Sequence, residues 1–120
     1  TGETLMAFPA IHCDVVVLHG LEGDRDGNVK LNNNLGVDLE LVYIADTVIV
    51  TVERMVDQCQ RSTDGFLVPS PGVRYIVHAP RGAFPTSCYP DYPVSGGEFL
   101  RYIDACNAGQ FEAYVAAMAE

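Results

Sequence analysis

Apolar residues gather in three short runs with almost no polar alternation: CDVVVLHG (13–20), DTVIVTVE (46–53) and GVRYIVHAP (72–80). Val, Ile and Thr dominate them, a composition suited to pleated backbone. Runs of this length without a polar side predict strands buried on both faces, the habit of parallel sheets covered by helices. The intervening NNNLGVDLELVYIADT places Leu35, Leu39 and Val42 on one helical face, widened by Leu41, Ile44 and Ala45. Alternate positions from Leu35 to Leu41 are also apolar, so a strand stays open. The helix is preferred because parallel neighbours need a crossover, which is expected to be right-handed.

Toward the end, SGGEFLRYIDAC carries Ser95 and Glu98 at capping-box spacing, followed by Phe99, Ile103 and Cys106. After Gly109, the residues Phe111, Tyr114, Val115 and Met118 repeat the helical period, which predicts a second amphipathic helix. Pro and Gly punctuate 69–72 and 80–97, so those stretches are read as loops. The pattern predicts one α/β domain over residues 1–120, a mostly parallel sheet flanked by helices.

LEGDRDGNVKLNN (21–33) tests that picture. Glu22, Asp24, Asp26 and Gly27 occupy positions one, three, five and six of a calcium loop. The twelfth position, where a bidentate Glu is needed, holds Asn33, and a strand rather than a helix precedes the loop. The stretch therefore reads as a tight turn, with positive φ at Asp26-Gly27 or Gly27-Asn28 and a short strand from Val29.

Charge narrows the partners. Seven basic against sixteen acidic residues give a net charge of −9, which disfavours nucleic acid. No apolar run approaches the roughly 18 residues of a membrane span. Cys13, Cys59, Cys88 and Cys106 are scattered without a CxxC pair, so reduced thiols and a cytoplasmic location are expected. His12, Cys13 and His19 lack a second cluster at ligand spacing and are read as packing residues, with no metal site expected.

Ligands of open parallel sheets bind beyond the carboxyl ends of the strands. That rule selects His19 at the end of the first run, Glu53 at the end of the second, and the loop after His78. In that loop Gly82, Phe84, Pro85, Ser87 and Tyr89 are candidates for substrate binding or an interface. Ser87 has no G-x-S-x-G elbow, and no phosphate-cradling glycine motif occurs, so no catalytic residue is assigned.

Several of these segments are similar to one family. CDVVVLHGLEGDRDGNV, DTVIVTVERMVD, LVPSPGVRYIVHAPRGAFPTSCYPDYP and GGEFLRYIDACNAGQFEAYV together resemble the A (alpha) subunit of class I CoA-transferases, in the glutaconate CoA-transferase branch. The resemblance implies a CoA-transferase-like partial domain, the C-terminal part of an A subunit. Its expected partners are the missing N-terminal part of the A subunit, together with a B subunit. It also implies coenzyme A thioester as substrate, no resident cofactor, and a glutamyl-CoA intermediate formed on a B-subunit glutamate. Relatives that hydrolyse CoA thioesters, or a non-enzymatic assembly module of the same descent, are the alternatives. Glu53 in TVERMV does not match the nucleophile's motif. The isolated chain is expected to be inactive, and its apolar surfaces predict self-association or binding to another chain.

Overall fold

The computed structural model describes residues 2–118, which form two compact units, one ending at Pro80 and the other beginning at Arg81. In the first, strands β1 (Cys13–Gly23), β2 (Val29–Asn32), β3 (Ala45–Met55), β4 (Gly65–Val68) and β5 (Tyr75–His78) build one sheet in the order β4-β2-β1-β3-β5. The three predicted runs are β1, β3 and β5, and they lie parallel and adjacent, with His19 opposite Thr51 and Val52 opposite His78. The sheet is mixed rather than mostly parallel, because β2 folds back antiparallel on β1 and β4 pairs antiparallel with β2. A tight turn permits only that direction of return, and β4 is too short and weakly patterned to stand out as a strand.

The crossover between β1 and β3 contains the expected helix, shortened to α1 (Asp38–Ile44). Its acidic first turn, Asp38 and Glu40, suits the positive end of the helix dipole. Val42 joins Val16, Leu18, Val48, Val50 and Val52 in the core, with Leu35, Leu39 and Leu41 packed against it. That core covers one face of the sheet. The opposite face corrects the expectation of strands buried on both sides: Val15 and Val17 of β1 are 54% and 63% exposed, and Tyr75 and Val77 of β5 are 54% and 46% exposed. Successive side chains of a strand point to opposite faces, so both readings share the same residues. The run of apolar letters shows that a face is greasy, not that this chain covers it.

Gly65, at the start of β4, has a reason that its sequence context hides. A Cβ there would stand 2.5 Å from the Leu31 carbonyl oxygen and 2.7 Å from Lys30 Cγ, and the first of these is fixed by the sheet ladder. Gly65→Ala is therefore expected to lose about 2 kcal/mol, whereas Gly36→Ala, which meets only an Asp38 oxygen at 3.8 Å, should stay within about 0.5 kcal/mol. Equal melting temperatures for the two variants would remove this account.

The second unit consists of turns from Arg81 to Ser95, then helices α2 (Gly96–Asn107) and α3 (Phe111–Met118). Ser95 is the N-cap residue of α2, but its side chain makes no capping bond, and Glu98 pairs with Arg101 at 2.8 Å instead. The expected capping box is thus absent. Tyr102 meets Phe111 and Tyr114 edge-on, with ring centroids 6.3 and 5.6 Å apart, and this aromatic group joins the two helices. No helix among the described residues is long and apolar enough to cross a membrane.

Candidate functional site

Parallel pairing brings together two of the residues selected from the sequence. His19 and Thr51 lie opposite each other, and Glu53 follows two positions later on the same face of β3. His19 Nε2 is 2.6 Å from Glu53 Oε1, and its Nδ1 is 2.7 Å from the Thr51 hydroxyl. Thr51 Oγ1 also lies 3.2 Å from the Leu18 carbonyl oxygen and can donate to it. If the hydroxyl donates to Leu18, it accepts from Nδ1–H; if it donates to Nδ1, the ring proton sits on Nε2. In the second arrangement Nε2–H donates to the Glu53 carboxylate; in the first it can do so only when both ring nitrogens carry a proton.

The Glu53 side chain is 7% exposed and that of His19 is 15% exposed, so the pair is largely removed from water. Both ring nitrogens are engaged, so the imidazole is held in a fixed orientation. His78 Nε2 adds a contact to the Glu53 carbonyl oxygen at 3.2 Å, so all three parallel strands contribute here. The strands continue past His19 to Gly23 and past Glu53 to Met55, so both residues sit within strands rather than at their ends. Thr51 was missed by the sequence reading. Once β1 and β3 are known to be parallel, its place two residues before Glu53 marks it.

The calcium-like stretch is resolved by where its carboxylates point. Asp24 is 2% exposed and accepts hydrogen bonds from the backbone N–H groups of Asp26 (3.0 Å), Asn28 (2.9 Å) and Cys59 (2.9 Å), and from the Asn28 side-chain amide. Burial alone pushes its pKa up, but the Cys59 N–H, the Asn28 side chain and the other backbone donors outweigh it and hold the carboxyl below the usual 3.8. Asn28 in turn accepts from the Ser70 N–H at 3.1 Å. Glu22 turns elsewhere, pairing with Lys30 at 2.9 Å and Arg54 at 3.4 Å. A turn forms and β2 begins at Val29 as expected, but of the expected positive-φ pair only Gly27, at φ 90°, adopts that conformation, and neither Asp26 nor Asn28 does. The carboxylates are spent on separate structural bonds, not on one ion. Burial, then the charges of Asp24 and Glu22, push the Cys59 thiol up to about 11, so it stays protonated and unreactive.

The remaining candidates lie in the second unit. Phe84 and Pro85 are half-buried, whereas Gly82, Ser87 and Tyr89 are exposed. The Arg81 guanidinium stacks 4.7 Å from the centre of the Phe84 ring and 5.4 Å from that of Tyr92, whose hydroxyl accepts from the Ala83 N–H. Ser95 N–H donates to the Pro85 carbonyl oxygen at 2.9 Å, so the segment is a string of hydrogen-bonded turns rather than a loose loop. Peptide bonds Phe84–Pro85 and Tyr89–Pro90 are cis. The residues considered as metal ligands have separate partners: His12 lies by Asp14 and Asp46, the Cys13 thiol by the Val15 carbonyl, and His19 by Thr51 and Glu53.

No protein-family model matches the chain. Known proteins do. The chain is 37% identical over 92 residues to the A subunit of the 3-oxoadipate CoA-transferase of Pseudomonas knackmussii, covering 77% of this chain and 33% of that protein. Against the A subunit of the glutaconate CoA-transferase of Acidaminococcus fermentans it is 29% identical over 117 residues, 94% of this chain and 36% of that one. The chain belongs to the CoA-transferase A-subunit family. Solved structures agree. The decarboxylase AibA/AibB, crystallised as a variant, superposes with a TM-score of 0.82 at 32% identity, over 92% of this chain and 40% of that one. The glutaconate coenzyme A-transferase of Acidaminococcus fermentans superposes at 0.77 with 27% identity, over 98% and 37%. As a CoA-transferase relative, the chain spans about a third of the length of the curated proteins it matches.

Proposed function

We propose that the chain is one part of the A subunit of a CoA-transferase and works with the rest of that polypeptide and with a B subunit. In this reading a B-subunit glutamate attacks the carbonyl carbon of an acyl-CoA thioester, forming an acyl anhydride and expelling the CoA thiolate. The thiolate then attacks the glutamyl carbonyl, giving a glutamyl-CoA thioester and releasing the first acid. A second carboxylate repeats the two steps in reverse and leaves as the new thioester. The observation that carries the reading is the 37% identity to a CoA-transferase A subunit over most of this chain. The role left to this chain is scaffold and contact, with His19, Thr51 and Glu53 tying together the interior strands β1 and β3. The exposed Val15, Val17, Tyr75 and Val77 support contact with another polypeptide.

The test is reconstitution. The purified chain alone should transfer no coenzyme A between acids. Supplied with the remaining part of an A subunit plus a B subunit, it should restore turnover. Activity from the chain alone, or an assembled complex that stays inert toward every acyl-CoA and acid pair tried, would end the proposal. A decarboxylase reading has one specific support, the similarity to AibA/AibB. Release of carbon dioxide from a carboxylated acyl-CoA by the same complex, without transfer, would select it.

A further inference from the structure

Beyond the His19–Glu53 pair, on the other face of the sheet, the first unit contains a cavity of about 890 Å³. Its volume falls within the roughly 300–1,000 Å³ typical of small-molecule sites. Val42, Val48 and Val68, all core residues, form its floor. Tyr43 of α1 and Phe66 of β4 supply exposed aromatic walls, 81% and 43% exposed. Arg61 and Arg74 line it as well.

The arginines stand apart from most other cations of this acidic chain. Lys30, Arg54 and Arg101 are held by carboxylates, and Arg81 lies over aromatic rings. Among the described residues, the side chains of Arg61 and Arg74 have neither an ion pair nor a hydrogen bond. Asp46, the acidic residue lining the cavity, lies 3.5 Å from His12. An apolar floor with two uncommitted guanidinium groups at one cavity suits a molecule with a greasy body and an oxyanion at one end. Guanidinium groups favour such heads because their planar donors match carboxylate and phosphate oxygens.

We propose that this cavity binds a small organic anion, its apolar body resting on Val42, Val48 and Val68 and its carboxylate or phosphate head held by Arg61 and Arg74. The site does not depend on the transferase reading, since it involves no residue proposed to serve that reaction. Calorimetric titration of the purified chain with octanoate and octyl phosphate, beside octanol and inorganic phosphate, tests it. At least one octyl anion should bind saturably at one per chain, and the two arms show which head group is preferred. Octanol and inorganic phosphate should each bind at least roughly tenfold more weakly, since one lacks the charge and the other the body. R61Q/R74Q should weaken the octyl anion by a similar factor, with R61K/R74K retaining part of the affinity. Both arginines are exposed, so the fold should survive, and melting curves check it. If R61Q/R74Q does not fold, the octanol and phosphate controls still decide. No saturable binding of either octyl anion, equal binding of either control, or full affinity in folded R61Q/R74Q would overturn the proposal.

Discussion

Asp24→Ala should destabilise the chain by about 3 kcal/mol or more, and lower its melting temperature by roughly 10 °C. The substitution strands the N–H groups of Asp26, Asn28 and Cys59, all of which converge on one buried carboxylate. It also removes one of the two links between the 59 segment and the β1–β2 turn, leaving the Cys59 thiol on the Asn28 carbonyl oxygen. The loss should depend on pH in a defined sense. The folded-state carboxyl is held below its ordinary value, so the ionised form contributes stability that is fully present above the ordinary Asp range. That contribution disappears as pH falls through the depressed folded value. Urea titrations at neutral pH and near pH 3 should therefore show the gap between wild type and Asp24→Ala narrowing in acid. A gap of constant size would mean that the carboxylate's charge is not what holds the turn.

Glu53→Ala comes next in size, at about 3 kcal/mol, because it leaves the His19 ring facing an empty, largely buried position. A buried pair that loses both members can recover. His19→Leu combined with Glu53→Met should regain most of that loss, since two apolar side chains of similar volume need no partners. Denaturation of both singles and the double completes the cycle, and a double variant as unstable as the two losses added would show that the residues are uncoupled. The same proteins distinguish structure from chemistry. A stable double variant that supports full turnover in a reconstituted complex would assign the pair to folding alone. One that assembles normally but turns over slowly would place it in the reaction.

The strands were legible because β-branched runs of this length have few alternatives, and the parallel arrangement of β1, β3 and β5 followed from them. Sheet direction elsewhere was not. Val29–Asn32 was visible as a strand start, but its partner Gly65–Val68 carries only Phe66, Leu67 and Val68, too little pattern to separate from loop. Burial was over-read for a physical reason: letters report the hydrophobicity of both faces, while exposure depends on what packs there. At the site, His19 and Glu53 were selected as strand-end residues, although both strands continue past them, and Thr51 needed register. Asp24 drew attention for its resemblance to a calcium ligand, and its true partners could not be read from it. The Cys59 amide is 35 positions along the chain, and no local spacing announces such a bond.

The order of strands in the sheet also sets a timetable for synthesis. β1 and β2 are joined by a turn, so that hairpin can close as soon as both have left the ribosome. The other flank of β1 must wait, because His19 meets Thr51 only 32 residues later. During that interval the valines of β1 face water or a chaperone with one edge unmatched, which makes the nascent chain most vulnerable before β3 emerges.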